Sequence, residues 1–123
     1  RILAVKKLPA GTRVGYGGTF RAERPTTIAI LAAGYADGVP HRMGNRGKVI
    51  AGGQLVPVIG AVSMDLTTID ITDVPDLAPG DAVTLLGQEG NVELNAQQVA
   101  RWAGTISYTV LCAISPRVPR VYV

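Results

Sequence analysis

Short apolar runs, each bounded by glycine or proline, recur along the chain and limit the folds open to it. Residues 26–33 form one such run, which ends at Gly34, and residues 48–51 and 54–57 form two more. Runs of this length between turn-forming residues are typical of buried strands. The 15 glycines and 8 prolines among 123 residues also favour an all-β fold over a helical one.

The turns between these runs indicate antiparallel pairing. Gly52 and Gly53 can both adopt a positive φ, as a type I′ turn requires, so the two runs that they separate predict a β-hairpin. Residues 67–72 alternate polar and apolar side chains, which is typical of a strand with one solvent-facing side. The PGD sequence at residues 79–81 predicts a turn that leads into a strand at residues 82–86.

One short helix is predicted near the C-terminal third of the chain, at residues 95–103. Asn95 is a good N-cap, and Gln98 stands three residues later, at the capping-box position. Gly104 is suited to end this helix in a left-handed conformation. A last apolar stretch follows at residues 106–114, without a predicted secondary structure.

These elements together predict an all-β fold, a mainly antiparallel, Greek-key-like barrel of about six strands with one short helix. Closure of the sheet into a barrel removes exposed strand edges, which would otherwise invite association. No linker divides the sequence, so residues 1–123 are expected to form one domain.

Composition and charge exclude several classes of function. The net charge is +3, but the basic residues are scattered rather than concentrated and interleaved with aromatics, so we expect no nucleic-acid binding. The longest apolar run, residues 28–33, is far shorter than the roughly 20 residues of a membrane span. The sequence begins without an initiator methionine or a secretory signal, and we expect a piece of a longer polypeptide. One cysteine, Cys112, permits no internal disulfide, which fits the cytoplasm.

Taken alone, few residues indicate catalysis. His41 is the one histidine of the sequence, and without ligating residues at suitable spacing it is better interpreted as a surface-loop residue than as a metal ligand. Ser63, His41 and Asp65 are the residue types of a hydrolytic triad, but nothing in the sequence brings them together. We therefore predict neither a metal site nor a triad.

Two glycine-rich segments each carry a tyrosine. They are GYGG at residues 15–18 and GYADG at residues 34–38, and the second ends a predicted buried strand, where sites are usually built. Viewed singly, each segment is better explained by a turn with a tyrosine on the surface than by a functional site. Met64 follows an apolar run and is, on the same view, core filler.

In order, however, the segments resemble the C-terminal β-domain of pyridoxal-phosphate-dependent alanine racemases across nearly the whole chain. Each segment is a weak signal, whereas the ordered set is specific. The segments are VGYGGTF at residues 14–20, GYADG at 34–38, PVIGAVSMD at 57–65, PGD at 79–81, ISY at 106–108 and SPRVPR at 115–120.

The resemblance implies an isomerase that interconverts L-alanine and D-alanine for the supply of peptidoglycan precursors. In that family an N-terminal TIM-like barrel, absent from this chain, holds pyridoxal 5′-phosphate on a lysine. Two subunits form a head-to-tail homodimer, in which the β-domain of one completes the active site of the other. The isolated domain is therefore expected to be inactive. Lys6, Lys7 and Lys48 do not lie in any motif that resembles the family's cofactor-lysine motif.

Four residues of this sequence match functional positions of the family. Tyr16 matches the catalytic tyrosine that acts as a base opposite the barrel lysine, and Tyr108 matches a tyrosine that reaches the cofactor phosphate. Met64 matches the position whose backbone N–H contacts the substrate carboxylate. Tyr35 matches a tyrosine of the substrate access corridor, where its bulk excludes larger amino acids.

Other positions carry weaker expectations. Asp65 is expected to orient the strand end beside Met64, and Asp37 to organise its own turn. Arg117 and Arg120 are equally consistent with a contact between domains or subunits and with a solvated surface. Many relatives carry a basic residue three positions before the methionine, where this sequence has Ala61, so the charge of the access corridor differs here.

Two further interpretations stay open at this point. One is a non-catalytic β-barrel module for interaction or regulation, related to fold-type III pyridoxal-phosphate enzymes. The other is racemisation of a different small amino acid such as serine. A catalytic half-site predicts that Tyr16, Tyr35, Met64 and Tyr108 lie on one edge of the domain, whereas a module does not.

Overall fold

A computed structural model describes residues 1–14, 18, 20–74 and 76–121. Strands dominate these residues, two α-helices follow near the C-terminal end, and two 3₁₀ turns lie at Tyr35–Asp37 and His41–Met43. In chain order the elements are β1 (Ile2–Leu8), β2 (Arg13–Val14), β3 (Phe20–Arg21), β4 (Thr26–Leu31), β5 (Lys48–Ala51), β6 (Gln54–Pro57), β7 (Thr67–Asp70), β8 (Gly87–Glu89), β9 (Val92–Leu94), α1 (Ala96–Ala103) and α2 (Ser107–Cys112).

The central sheet has three antiparallel strands, with β4 between β1 and β7. Ile28 in β4 lies opposite Lys6 on one side and opposite Asp70 on the other. Because β4 is hydrogen-bonded along both edges and largely buried, it forms the middle of the fold, as its continuous apolar sequence predicts.

The predicted hairpin at the double glycine is confirmed. Strands β5 and β6 pair antiparallel, and Gly52 and Gly53 adopt φ values of 58° and 76°. A bridge between Val58 and Ile69 joins the end of this hairpin to the central sheet. The hairpin therefore packs directly beside β7, next to the loop that precedes that strand.

The predicted helix is also confirmed, as α1. The Asn95 side chain accepts a hydrogen bond from the Gln98 N–H at 2.8 Å, and the Gln98 side chain accepts one from the Asn95 N–H at 2.9 Å. Gly104 ends the helix with φ 70°. Capping residues that satisfy the free N–H groups of a first turn are local signals, which is why the sequence alone locates this helix.

The barrel prediction is not confirmed. In the part of the chain that the structure describes, the strands form one three-stranded sheet and three two-stranded sheets, with no closed barrel of about six strands. The strand predicted at residues 82–86 is reduced to a single bridge, in which Thr84 pairs with Ile50. Beyond it, Gly87 takes φ 135° and the chain turns into the β8–β9 hairpin, so pairing with β5 stops.

The prediction of a single α-helix is wrong, because residues 107–112 form α2. Ile106, Val110 and Ile114 recur every four residues, a spacing typical of a helix, and of the three Val110 lies within α2. Val110 is buried in the main core, and α2 packs against α1. Packing against a neighbouring helix thus decides the structure of a segment whose apolar content alone leaves strand and helix open.

Two groups of buried side chains hold these elements together. A small cluster of Val14, Ile28 and Ile59, with Leu8 and Phe20 packed against it, joins the β2–β3 pair to the central sheet. The larger core lies between the central sheet, the β5–β6 hairpin and the helices, and its fully buried members include Ile2, Leu31, Val49, Ile50, Val58, Ile69 and Leu94.

Gly34 marks a close approach of two backbone segments. It is extended, with φ −143°, so its conformation does not require glycine. A Cβ at this position would instead lie closer than 3.0 Å to the backbone of Ser63 and Met64. The absence of a side chain allows the end of β4 to contact the loop before β7 directly.

We expect Gly34→Ala to lower the free energy of unfolding by about 1–3 kcal/mol, because the added methyl group meets backbone atoms that cannot rotate away. Urea denaturation of the polypeptide that carries the domain measures this change. Unaltered stability would mean that the two segments do not depend on this contact.

We expect Asn95→Ala to lower the free energy of unfolding by about 1 kcal/mol, since the first turn of α1 loses its side-chain cap. Asn95→Asp is the matched control, because a carboxylate accepts the same hydrogen bond and should retain most of the stability. Equal stability of the Ala and Asp variants contradicts the capping role.

Candidate functional site

Tyr16, the predicted catalytic residue, lies outside the described residues. On either side of its segment the strands β2 and β3 pair antiparallel, with Val14 opposite Phe20. The Arg13 guanidinium donates a hydrogen bond to the carbonyl of Gly18 at 3.2 Å. The flanks of the segment are thereby attached to the domain through a buried Val14 and the small apolar cluster beneath it.

Tyr35 and Met64 are brought together by the backbone. The Tyr35 N–H donates to the Ser63 carbonyl at 2.9 Å, and the Ala36 N–H donates to the Met64 carbonyl at 3.0 Å. Both side chains are half exposed, at 50% and 51%. Two residues that are 29 positions apart in sequence are therefore neighbours, and both are half exposed to solvent.

The loop that carries Met64 leaves a backbone donor available. The Ser63 N–H and the Ser63 hydroxyl both donate to the Leu66 carbonyl, and the Leu66 N–H donates to the Ser63 hydroxyl oxygen. These bonds close a tight turn. Among the hydrogen bonds of the described residues, none uses the Met64 N–H. An exposed N–H of this kind can donate to an oxygen of a bound molecule.

Tyr108 lies apart from this pair. It is in α2 and 75% exposed, and no hydrogen bond or ring contact between described residues joins it to Tyr35 or Met64. The end of α2 nevertheless approaches the turn that carries Tyr35, because a Cβ on Gly38 would lie within 3.0 Å of backbone atoms in residues 113–114. The phenol hydroxyl of the exposed Tyr108 is a neutral hydrogen-bond donor.

An ionic cluster, formed by Arg117, Asp37 and Asp65, joins three segments of the chain. Nε of Arg117 lies 3.1 Å from Oδ1 of Asp37, and Nη2 of Arg117 lies 2.9 Å from Oδ1 of Asp65. The other oxygen of Asp37 accepts a hydrogen bond from the Gly34 N–H at 3.0 Å, which is the turn-organising role expected of this residue. The hydrogen bond that Arg117 donates to Asp65, and then the charge of Asp37, raise the pKa of Arg117 above its ordinary value.

Sequence reasoning missed this cluster. It left Arg117 open between an interface contact and solvated surface, whereas the structure pairs it within the chain. Arg120 is likewise engaged locally and donates to the carbonyls of Ile114, Ser115 and Val118. A pairing between residues 52 positions apart, as for Arg117 and Asp65, leaves no local signal in a single sequence.

His41 lies beside Tyr35, with the two ring centroids 6.0 Å apart and the planes at 71°. This edge-to-face contact gives the exposed histidine a packing role against the predicted corridor residue. The triad of Ser63, His41 and Asp65 is not formed, since the Ser63 hydroxyl bonds within its own turn. Within the described residues, no group of three or more histidine, cysteine or acidic side chains is arranged to hold a metal ion.

A cavity of about 560 Å³ lies behind the site rather than in it. Apolar side chains such as Val39, Met43 and Val110 line it, and Asp37 and Arg117 contribute to its wall, but Tyr35, Met64 and Tyr108 do not. The candidate residues thus occupy an exposed surface.

No helix of the described residues is long and apolar enough to cross a bilayer.

Among the described residues, this surface offers the Tyr35 phenol and the Met64 backbone N–H as donors for polar groups of a bound molecule. Lys6, Lys7 and Lys48 lie in strands of the sheets, and His41 makes an edge-to-face contact with Tyr35.

Comparison with known proteins identifies the relatives of this chain. A family model described as the C-terminal domain of alanine racemase matches residues 1–122. The alanine racemase of Thermodesulfovibrio yellowstonii is 44% identical over 123 residues, which is 100% of this chain and 34% of that protein. The alanine racemase of Bordetella petrii is 47% identical over 119 residues, covering 97% of this chain and 31% of that protein.

Solved structures agree with the sequence comparison. The alanine racemase of Bartonella henselae, with covalently bound pyridoxal phosphate, superimposes with a TM-score of 0.90 at 35% identity, over 99% of this chain and 33% of that chain. The biosynthetic alanine racemase of Pseudomonas aeruginosa gives a TM-score of 0.91 at 38% identity, with 99% and 33% covered. The chain spans about a third of the length of the curated relatives it matches. It belongs to the alanine racemase family and corresponds to the C-terminal domain of that family.

Proposed function

We propose that this domain is the part of an alanine racemase that completes an active site shared between two subunits, and that the whole enzyme interconverts L-alanine and D-alanine for peptidoglycan precursors. The observation that carries the proposal is the exposed surface of Tyr35 and Met64, with a Met64 N–H that no described residue uses. A non-catalytic module has no need of such a donor beside an exposed aromatic residue.

The remaining parts of the site are proposed to come from an N-terminal TIM-like barrel that would precede residues 1–123. That barrel would carry the lysine that binds pyridoxal 5′-phosphate, the group that the Bartonella henselae relative holds covalently. The cofactor, when bound, withdraws electrons from the substrate α-carbon and so makes its proton removable. The exposed Tyr108 hydroxyl fits such a cofactor, since a neutral donor can bond a phosphate oxygen without altering its charge.

Tyr16 is proposed as the base that this domain supplies. Racemisation removes a proton from one face of the α-carbon and returns one to the opposite face, so two groups are needed on opposite sides. A free phenol titrates at about pH 10, and a tyrosine that works near neutrality therefore needs cations nearby. We expect most of these cations on the barrel and a lysine there opposite Tyr16.

Met64 and Tyr35 are proposed to bind and select the substrate. The Met64 N–H would donate to the carboxylate of alanine, and the bulk of Tyr35 would narrow the corridor through which the substrate enters. Ala61 leaves this corridor without the basic side chain that many relatives have, so acceptance of serine beside alanine belongs among the substrates to be tested. We propose a homodimer in the cytoplasm as the working form.

We expect the isolated 123-residue chain to show no racemase activity and to bind pyridoxal phosphate poorly, because it lacks the proposed barrel. Joining it to the barrel domain of a relative should restore turnover. In that enzyme, Tyr16→Phe should lower kcat about 100-fold or more, as expected for loss of a general base, while the absorbance of bound cofactor is retained.

Racemisation by the Tyr16→Phe enzyme at near-parental rates in both directions would remove Tyr16 from the mechanism. Activity of the isolated chain would contradict the need for a second domain.

Met64 offers a separate test of the carboxylate contact. We expect Met64→Leu to leave KM for alanine close to the parental value, because the contact uses the backbone. Met64→Pro removes the N–H and should raise KM about tenfold or more, which corresponds to one charge-assisted hydrogen bond. Circular dichroism checks that both variants are folded, and equal KM values for the two would contradict the assignment.

A further inference from the structure

Three segments of the domain meet at Arg117. They are the turn at Tyr35–Asp37, the loop that carries Met64 and Asp65, and the C-terminal segment at residues 115–120. The first two are already joined by the backbone hydrogen bonds from Tyr35 and Ala36. The Arg117 guanidinium adds a second connection, with Asp37 on one side at 3.1 Å and Asp65 on the other at 2.9 Å.

The two carboxylates are placed next to the residues proposed to bind substrate. Asp37 is largely buried, with 15% of its side chain exposed, and it also accepts the Gly34 N–H, so it fixes the start of the turn that carries Tyr35. Asp65 follows Met64 directly and is half exposed. Arg117 therefore limits how far the Met64–Asp65 peptide can move relative to the Tyr35 turn.

Arg117 is itself held in place from the C-terminal side. Its N–H donates to the Ser115 hydroxyl at 3.2 Å, and the Arg120 guanidinium donates to three carbonyls of the same segment at 2.7–3.0 Å. The segment begins at the point where Ile114 packs against Gly38. These bonds hold the backbone of the segment, and the planar guanidinium that extends from it has donor edges that match two carboxylates.

We propose that Arg117 is a positioning residue, whose two ion pairs set the distance between the Met64 N–H and the Tyr35 ring. This distance fixes where the substrate carboxylate binds. The proposal rests on the function proposed above for Met64 and Tyr35. It assigns to the C-terminal segment a role in substrate binding, although Arg117 touches no reacting atom.

The exposure of the cluster separates this role from a purely stabilising one. About half of the Arg117 and Asp65 side chains is exposed, and ion pairs of that exposure contribute little to global stability. Loss of Arg117 should therefore alter substrate binding more than it alters unfolding. Displacement of a substrate-binding group by a fraction of its hydrogen-bond length is sufficient to weaken catalysis.

The test uses the dimeric enzyme that contains this domain and its barrel. We expect Arg117→Gln to raise KM for alanine about tenfold in both directions, with a smaller change in kcat and a nearly unchanged melting temperature. Arg117→Lys should return KM only part of the way to the parental value, because an ammonium group cannot hold both carboxylates as a guanidinium fork does.

The matched control is Arg24→Gln, which breaks the other ion pair of the described residues, between Arg24 and Asp73 at 3.4 Å. This variant should retain the parental KM. Asp65→Asn leaves the Arg117–Asp37 pair intact, and it should raise KM in the parent but add little in the Arg117→Gln background, since both changes break the same contact.

The outcomes distinguish the two proposals. If the parental enzyme racemises alanine and the Arg117→Gln variant has an unchanged KM, the positioning role is overturned and the proposed function stands. A parental enzyme without racemase activity overturns the proposed function first. If Arg117→Gln fails to fold, Asp65→Asn alone decides, and a parental KM in that variant contradicts the positioning role.

Discussion

Direct contact between the backbone at Gly34 and the backbone at Ser63 and Met64 is the constraint on which the candidate site depends. A side chain at Gly34 would occupy the space of these peptides, and without the contact the hydrogen bonds from Tyr35 and Ala36 could not form. The end of the central strand β4 and the loop before β7 are thus fixed to each other. The half-exposed side chains of Tyr35 and Met64 extend from this junction.

The surface built on this junction carries the residues proposed to bind substrate. It offers donors and aromatic side chains to solvent, while the apolar residues of the domain lie in the core behind it. The relatives are about three times as long as this chain, and one of them holds its cofactor covalently. Under the proposed function, this surface contributes binding groups to an active site that a second domain completes.

The sequence predicts those features that local chemistry determines. The double glycine at Gly52 and Gly53 and the Asn95 cap each satisfy a backbone requirement within a few residues, and both predictions are confirmed. Helix α2, the single bridge at Thr84 in place of a strand, and the open sheets depend on packing between distant segments, which no local pattern records. The same holds for the site: Tyr35 and Met64 were found through resemblance, whereas Arg117 pairs with carboxylates that only the fold brings near. The role of Tyr16 stays a prediction.

The central claim is that one active site draws on two subunits, and a hybrid dimer tests it most directly. One subunit would carry Tyr16→Phe and the other a substitution of the barrel lysine, so that each homodimer is inactive. A shared site predicts that the purified hybrid recovers racemase activity, because one of its two sites receives an intact lysine and an intact tyrosine from different subunits. A hybrid as inactive as both homodimers would contradict the account, since it would mean that both groups act within a single subunit.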